Sequence, residues 1–546
     1  MGTKQYDSAT DLLTFSRASG GTALSKISYS NDELVTNGTF DTDATGWAGN
    51  NSHYSPTIES QRLKVVTGAS VQWNYAQTSV SGLTIGKMYR FQASSFVGTT
   101  ARHRISLGTY AGQSFDIVNQ GLGYNVNQTV DMTFTATTTV VYVSLQNTDG
   151  VDGSTTFFDN ISVKEVLFGQ ADGTLQVFNH GNNKPRIEYD ATGAVKGLLI
   201  EEARTNRILT SEVAPTGYFG GLTKSVDNSV VSPAGGNNVE KFTLSNANDY
   251  HYVGNHNNIC TGTGTSTYSI FAKGSGHNLI RLRMSNVSGN PSCDFDLSTG
   301  QKQVTSSSDS SVTGSIESIG NGWWRCAMTY AAEKSNPYAS VFLIDAMDAS
   351  SLPFQGDGTS SVYVWGSQYE SGAFPTSYIP TTGAAATRAR DLAEIPTSAF
   401  GYNNDAGSIA VEFKSNKPSS LDYGAFVLSD GSPTNRILHY VNSQYHRGYV
   451  RNTSGTQADI GAGSRGAPSE LVKFAIAFSD NNFAASLNGA TAVTDTSVTI
   501  PSGLSKLALG YHYPTLPQSN LINGHIKSIQ YYPRQLTNTQ LQELTT

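Results

Sequence analysis

The sequence alternates apolar and polar residues over short runs, and this pattern predicts β-strands along most of the chain. Typical runs are VVYVSLQN (140–147), STYSIFAK (266–273) and VKFAIAFSD (472–480). A period of two turns one strand face toward a core and the other toward water. Only the tail LTNTQLQEL (536–544) has a helical pattern, with Thr537 or Asn538 as its N-cap. We therefore predict an all-β chain with minimal helix.

The predicted strands group into three blocks that each have the size of a β-sandwich. Stretches rich in turn residues separate these blocks. The blocks span 32–166, 209–380 and 400–546, and residues 381–399 have the composition of a linker into the third block.

Composition and charge fit this prediction and exclude several classes of protein. Charged residues make up 14% of the chain, whereas ordinary soluble proteins have about 25%. The net charge is -7 and no basic cluster is present, so we expect no nucleic-acid partner. The sequence has no apolar run of about 18 residues, so we expect no membrane span. The first residues, MGTKQYDSATDLLTFSRASG, lack the apolar segment of a secretory signal peptide.

The most densely charged stretch is RIEYDATGAVKGLLIEEARTNRI (186–208), which is either a catalytic constellation or a structural joint. A glycosidase needs two carboxyl groups about 5–9 Å apart across a cleft. Adjacent Glu201 and Glu202 on an extended segment would point to opposite faces instead. Arginine side chains could clamp these carboxylates in bidentate bonds. We predict a structural joint formed by Arg17, Arg186, Glu201, Glu202 and Arg204.

No motif for catalysis is found, and aromatic residues are the remaining functional candidates. The sequence lacks a phosphate-binding loop, a zinc-protease motif and a nucleophile elbow. We therefore predict no catalytic residue and no cofactor. Sugars stack on Trp and Tyr rings while polar groups fix their hydroxyls. The predicted carbohydrate-binding residues are Trp47, Trp73 and Tyr75 in the first block and Tyr511, His512 and Tyr513 in the third.

Two elements at the ends of the first block resemble a known module. LVTNGTFDTDATGW (34–47) and TTFFDNISVKEV (155–166) are similar to the opening and closing elements of carbohydrate-binding-module-like jelly rolls. These modules are common in phage and bacterial surface proteins. Many of them hold a structural calcium ion between the two ends. The resemblance therefore implies a calcium site that involves Asn37 and Asp159.

Other segments resemble virion proteins of tailed bacteriophages. The segments LTFSRASGGTAL (13–24), PRIEYDATGAVKGLLIEEARTN (185–206) and SYIPTTGAAATRARDLAEI (377–395) resemble a recurrent module of tail fibres. In that family the first two segments lie within a few tens of residues of each other, whereas here the first block separates them. The resemblance therefore implies that the jelly roll (32–166) is inserted into a small β connector, whose halves are 1–31, together with an N-terminal attachment segment, and 167–208. Such an insertion is tolerated where two chain ends lie close together at a surface. The elements FAASLNG (483–489) and GHIKSIQYYPRQLTNTQLQEL (524–544) are similar to concanavalin-like, laminin-G-like sandwiches.

These resemblances imply a structural virion protein, most closely a tail fibre or receptor-binding protein that adheres to host surface glycans. They also imply a homotrimer that contacts other virion proteins of the tail or capsid and is assembled in the host cytoplasm. The alternatives are a head fibre or capsid decoration protein and a virion-borne polysaccharide-degrading enzyme. The absence of a recognisable carboxylate pair counts against the enzyme.

Overall fold

A computed structural model shows an all-β chain. It describes residues 13–50, 55–68, 74–99, 102–112, 115–121, 126–213, 219–237, 239–254, 264–285, 290–305, 311–332, 338–418, 420–512 and 520–546. Within these ranges there is one α-helix, Asn538–Thr545, and one 3-10 turn, Thr397–Ala399. None of the described helical segments is long and apolar enough to cross a membrane.

The chain divides into two compact units. One unit, called the inserted unit below, is Lys26–Thr174, and the other, called the main unit, is Met1–Ser25 together with Leu175–Thr546. The chain leaves the main unit along the strand Gly21–Tyr29 and returns along Thr174–His180. These two strands are hydrogen-bonded neighbours, so the two ends of the insertion lie side by side.

The inserted unit has two antiparallel sheets that enclose one apolar core. The core contains Phe40, Trp47, Phe91, Leu145 and Phe158, all of them buried. The first sheet contains Gln128–Thr135, Met88–Val97, Thr155–Phe168 and the end of Gly21–Tyr29, with Arg62–Val66 and Thr57–Glu59 at its side. The second sheet contains, in order, Ala48–Gly49, Asn74–Ser81, Val140–Asn147, His103–Gly108 and Val118–Gly121.

The first sandwich of the main unit has two six-stranded sheets around a core that includes Phe242, Leu282 and Cys326. One sheet contains Phe219–Gly220, Tyr252–Gly254, Tyr338–Leu343, Leu279–Ser285, Ser292–Asp296 and Gln301–Val304. The other contains Leu222–Asp227, Val239–Leu244, Ser361–Ser371, Gly264–Ser275, Trp323–Ala332 and Thr313–Gly320. A short ribbon pairs Asn248–Tyr250 with Pro353–Gln355.

The C-terminal sandwich has two seven-stranded sheets and takes strands from distant parts of the sequence. One sheet contains Thr14–Ser16, Leu392–Pro396, Lys506–Leu509, Tyr423–Ser429, Arg436–Val441, Tyr445–Asn452 and Gly455–Ser464. The other contains Ile187–Tyr189, Val195–Ile200, Gly524–Tyr532, Ala406–Ser415, Val472–Ser479, Asn482–Leu487 and Val493–Asp495. Strands of the predicted connector are therefore built into this sandwich, and Phe15 and Ile200 lie in its core.

Residues 381–399, predicted as a linker, carry two strands of the main unit. Ala386–Arg388 pairs with Arg204–Asn206, and Leu392–Pro396 pairs with both Thr14–Ser16 and Lys506–Leu509. The helix Asn538–Thr545 begins at the predicted position. Its N-cap Thr537 forms a capping box with Gln540, and Leu541 is buried against the sheet.

Candidate functional site

A buried ionic cluster in the main unit joins motifs that are far apart in sequence. Asp391 accepts hydrogen bonds from Arg17 Nη1 (3.1 Å) and from the backbone N–H of Glu201 (2.9 Å). Arg186 donates to the second oxygen of Asp391 and also lies 2.9 Å from Glu201 Oε2. The side chains of Arg17, Arg186 and Asp391 are fully buried.

Glu201 has further partners that keep it ionised in this cluster. Ser377 donates to both of its carboxylate oxygens at 2.7 Å, once from the backbone and once from the hydroxyl. Arg388 approaches the same carboxylate at 3.5 Å. Burial alone would raise the pKa of Glu201, but Arg388, Arg186 and the two bonds from Ser377 lower it to about 2. Both oxygens of the Glu201 carboxylate are therefore used by hydrogen bonds and ion pairs within the protein.

The other two residues of the predicted joint form a separate pair beside this cluster. Arg204 lies 2.5 Å from Glu202 and stacks over the Phe374 ring at 5.0 Å. Asn523 donates to Glu202 Oε2 and accepts from the Glu202 backbone N–H, at 2.8 and 2.7 Å. Adjacent Glu201 and Glu202 thus have different partners, which fits side chains that leave an extended segment in opposite directions.

A cavity of about 500 Å³ in the main unit lies next to the ionic cluster. Its wall carries Glu188, which contacts both His525 and Lys196, and Lys196 also contacts Glu317 at 2.9 Å. Burial would raise the pKa of Glu188, but Lys196 and His525 hold it well below the ordinary value. Glycoside hydrolysis needs a general acid whose pKa is raised. Glu188 and Glu201 have the opposite shift, which is typical of carboxylates held in ion pairs.

One surface of the inserted unit combines aromatic rings with amide and guanidinium groups. In its second sheet Ala76, Ile105 and Val143 point into the core. Because side chains alternate along a strand, the residues between these core positions point to the opposite face. This face, called the platform below, carries Tyr75, Gln77, Arg104, Ser106, Tyr142, Ser144 and Gln146.

The polar groups of the platform orient one another. Gln146 lies opposite both Tyr75 and Arg104 on the neighbouring strands, and its amide donates to Ser106 Oγ at 3.1 Å. In the next row Gln77 donates to Ser144 Oγ at 2.6 Å. These bonds satisfy polar groups that the structure buries, since Ser106, Ser144 and Gln146 have no exposed surface.

The loop that follows the strand His103–Gly108 approaches the platform and adds two exposed rings. Gly112 donates its backbone N–H to Gln77 Oε1 at 3.0 Å. Thr109 donates to Asp116 from both its backbone and its hydroxyl, which closes this loop. Tyr110 is 59% exposed and Phe115 is 44% exposed. On the platform itself Tyr75, Arg104 and Tyr142 are partly exposed, whereas Ser106, Ser144 and Gln146 are fully buried.

The structure corrects two of the six predicted carbohydrate-binding residues. Trp47 is 6% exposed, packs edge-on against Phe40 and donates its indole N–H to the Thr36 and Asn37 carbonyls, so its ring belongs to the core. Tyr511 is 2% exposed and donates its hydroxyl to Glu394, so it too is a core residue. A buried ring cannot stack on a sugar.

The remaining predicted carbohydrate-binding residues have different outcomes. Tyr75 lies on the platform. His512 lies 5.7 Å from the Tyr440 ring in the C-terminal sandwich, and burial lowers its pKa to about 4. Trp73 and Tyr513 lie outside the described residues.

The two residues of the implied calcium site, Asn37 and Asp159, form hydrogen bonds within the inserted unit. Asn37 turns its amide N–H groups toward the Asp43 and Thr45 carbonyls, at 2.8 and 3.2 Å. Asp159 accepts from the Asn160 backbone N–H, and burial raises its pKa. Within the described ranges no group of three or more His, Cys, Asp or Glu side chains is placed to hold a metal ion. Calcium can also be held mostly by backbone carbonyl oxygens with one or two carboxylates, so a calcium site that involves Asn37 and Asp159 stays a prediction.

Sequence reasoning missed most of the platform, although the sequence contains the signal. The run VVYVSLQN alternates Val141, Val143 and Leu145 with Tyr142, Ser144 and Gln146. An aromatic residue in a polar row of such a strand marks a ring that faces away from the core. The partner rows on Asn74–Ser81 and His103–Gly108 follow only from the register of the sheet.

Comparisons with known proteins give no family for this chain. No family model and no curated protein matches its sequence. Similar solved structures include the tandem CBM22 domains of Paenibacillus barcinonensis Xyn10C, with 12% identity, a TM-score of 0.21 and coverage of 64% of this chain and 100% of that chain. Domains LG4-5 of the mouse laminin alpha1 chain have 11% identity, a TM-score of 0.21 and coverage of 64% and 94%. Trypanosoma rangeli sialidase has 7% identity, a TM-score of 0.24 and coverage of 87% and 82%. At such scores neither a shared fold nor a shared function follows.

Proposed function

We propose that this chain is a structural virion protein of a tailed bacteriophage, namely a tail fibre or receptor-binding protein, and that its platform adheres to host surface glycans. The virion assignment is supported by the tail-fibre motifs at 13–24, 185–206 and 377–395. In the structure these motifs supply the buried cluster around Asp391, which is a structural use of their charged residues. The chain then acts as a rigid carrier of binding surfaces rather than as an enzyme.

The platform is the observation that carries glycan binding. Tyr75 and Tyr142 stand on adjacent strands about four residues out of register, which separates them by roughly 13 Å at 3.3 Å per residue. Rings at this separation can stack on two parts of one oligosaccharide. Arg104 on the neighbouring strand is partly exposed and offers guanidinium donors for sugar hydroxyls.

Attachment of the purified chain to host cells tests the proposal. We expect Tyr142→Ala to reduce attachment by about 5- to 150-fold, because loss of a stacked ring typically costs about 1–3 kcal/mol at a binding surface. Tyr250→Ala is the matched control, since Tyr250 is an exposed tyrosine (48%) of the main unit. Equal attachment by the two variants would reject the platform. A labelled antibody against the chain should decorate the tail of intact particles.

The antibody and the purified chain also distinguish the proposed function from two alternatives. Antibody on the capsid instead of the tail would indicate a head fibre or decoration protein. Release of reducing sugar from host polysaccharide would indicate a degrading enzyme, which the lowered pKa values of Glu188 and Glu201 disfavour. The tail-fibre proposal includes a homotrimer, and the mass of the purified chain in solution tests that part.

A further inference from the structure

The cavity beside the ionic cluster lies between the two sandwiches of the main unit. One wall is the outer side of the sheet that contains Thr313–Gly320 and Trp323–Ala332, and the C-terminal sandwich supplies Asn416, Pro418 and Ser469 on the other side. Its volume of about 500 Å³ falls within the range of about 300–1,000 Å³ that is typical of sites for small molecules. Such sites also occur preferentially where two domains meet, so we examined which ligand chemistry this cavity would accept.

The carboxylates of the cavity wall are already held by cations of the protein. Glu188 contacts His525 and Lys196, and Lys196 also contacts Glu317 at 2.9 Å. Glu201 is paired with arginines of the ionic cluster behind the wall. A cationic ligand would therefore have to displace one of these ion pairs.

Two cations of the wall, by contrast, form no ion pair with a described residue. Lys302 Nζ donates to the Gly314 carbonyl, and Arg325 Nη2 donates to the Thr376 carbonyl and, at 3.3 Å, to Ser269 Oγ. An ammonium group has three donors and a guanidinium group has five. Two donors of Lys302 and the Nη1 donors of Arg325 are thus left for a ligand, and Nη1 is not among the enclosed atoms.

Positive charge is in excess around the cavity, although the whole chain has a net charge of -7. Without His525, the wall and the ionic cluster contain six lysine and arginine side chains and four carboxylates: Arg17, Arg186, Lys196, Lys302, Arg325 and Arg388, with Glu188, Glu201, Glu317 and Asp391. Glu317, which lies opposite Arg325 in the sheet, is included in this count. An anionic ligand group would offset the excess, and enclosed charges are screened less by salt than exposed ones.

The two cations are too far apart along the sheet for one small ion to use both. Lys302 reaches the strand Thr313–Gly320 at Gly314, and Arg325 lies opposite Glu317 on the same strand. These positions are three residues apart, which is about 10 Å at 3.3 Å per residue. A ligand that contacts both cations is therefore larger than inorganic phosphate or sulfate.

The wall between the cations carries hydroxyl and amide groups. Thr313 and Ser315 are exposed and share the outer side of their strand with Glu317, and their hydroxyls bond to no described residue. On the other wall Asn416 accepts from Ser469 Oγ at 2.9 Å, which leaves its amide N–H groups without a partner among the described residues. Such groups are typical partners of sugar hydroxyls.

We propose that this cavity is a second binding site of the protein and that it takes an acidic sugar unit bearing a carboxylate or sulfate group. The anionic group bonds to Lys302 or Arg325, and the sugar hydroxyls bond to the hydroxyl and amide groups between them. A nucleotide fits less well, because its base needs an open ring to stack on. Phe374 is the one phenyl or indole ring among the described residues of the wall, and it is 6% exposed with Arg204 stacked over it.

Calorimetric titration of the full chain with three disaccharides tests the proposal. The probes are digalacturonate, which carries carboxylates, a sulfated galactobiose and neutral galactobiose. We expect one or both acidic probes to bind at least about tenfold more tightly than the neutral one, with an affinity that falls as salt is raised. The stronger acidic probe identifies the anionic group. Failure of both acidic probes, or equal binding of the neutral one, would overturn the proposal, and inorganic sulfate that binds as tightly as the sulfated sugar would reject the sugar.

Lys302→Gln should weaken the acidic probe at least about tenfold, as expected for a lost charge-assisted hydrogen bond. Lys273→Gln is the matched control, since Lys273 belongs to the same sandwich, donates to the Asn321 carbonyl at 2.9 Å and does not line the cavity. Both changes remove one positive charge and one bond to a backbone carbonyl. Equal loss of binding in the two variants would mean that only net charge matters and would reject the site.

A second pair of variants tests the location without changing the charge. Ser315→Phe should abolish binding because its ring would fill the cavity, whereas Ser225→Phe should bind as the unchanged chain does. Both serines are exposed and lie on the two edge strands of one sheet, so equal melting temperatures check that both variants fold. Binding retained by Ser315→Phe would place the ligand elsewhere and overturn the proposal. The inference extends the proposed adhesion to a second site, and the two fail separately because the platform is tested by Tyr142→Ala.

Discussion

Asp391 connects parts of the main unit that are up to 374 positions apart in the sequence. It accepts from Arg17, from Arg186 and from the backbone of Glu201. Burying these charges has a large desolvation cost, so the cluster contributes geometry more than stability. Because of this cost, removing one charged side chain of the cluster would leave a buried charge without its partner and destabilise the main unit.

Asp391→Asn should therefore destabilise the main unit by about 3–5 kcal/mol, the range for a buried ion pair that loses one partner. The asparagine would leave Arg17 and Arg186 buried beside each other with less negative charge between them. Unfolding in denaturant measures the change. Glu412→Gln, an acid-to-amide change at an exposed pair in the same unit, should cost less than about 1 kcal/mol. Similar costs for the two variants would contradict the structural role of the cluster.

A buried histidine pair makes the C-terminal sandwich sensitive to acid. The Ala425 N–H donates to His439 Nδ1 at 3.2 Å, so the His439 proton must lie on Nε2, which faces His446 Nδ1 at 3.1 Å. Burial holds the pKa of His439 well below its ordinary value and lowers that of His446 to about 4. Both rings are therefore neutral in the folded chain.

The free energy of unfolding should fall as pH decreases from about 6.5 toward 4. In this window the unfolded histidines bind protons and the folded ones do not, so each contributes a loss of about 1.4 kcal/mol per pH unit. Above pH 7 the pair should have no effect. Replacing both rings, as His439→Gln with His446→Gln, should reduce the slope by about 3 kcal/mol per pH unit. Denaturant unfolding at several pH values measures this slope, and an unchanged slope would contradict the assignment.

At the scale of elements, the sequence predicts the strands better than their partners. Alternation locates the strand Val472–Ser479, and capping residues locate the helix Asn538–Thr545. The sequence does not reveal that Arg204–Asn206 pairs with Ala386–Arg388. Strands of three residues are too short to show an alternation of apolar and polar positions, and these two strands are distant in sequence. For the same reason residues 381–399 have the composition of a linker although they carry two strands.

The binding surfaces show the same limit. Aromatic content alone cannot separate Trp47, whose ring fills a core, from Tyr142, whose ring is partly exposed. The alternation around Tyr142 distinguishes the two, because it assigns each position to a face. The contact between the Gly112 loop and Gln77 depends on tertiary structure that no local pattern contains.

At the scale of the whole molecule, the inserted unit is removable. Thr174 Oγ1 donates to the Ile27 carbonyl at 3.5 Å, so a two-residue Asn-Gly turn in place of residues 28–173 can join the neighbouring strands. We expect the shortened chain to fold with a melting temperature within a few degrees of that of the main unit in the full chain, since loop length changes stability only weakly. Calorimetry on both proteins makes the comparison, and an unfolded product would show that the main unit depends on the insertion.

The adjacent ends of the insertion also have a consequence for how such a protein changes over time. The strands Gly21–Tyr29 and Thr174–His180 are hydrogen-bonded neighbours. Next to them in the sequence, Arg17 and Arg186 both form ion pairs with Asp391. A different domain whose two termini lie side by side can be inserted between these strands without changing the fold of the main unit. Under the proposed function, one recombination event at this position would replace the platform, while the buried cluster around Asp391 stays the same.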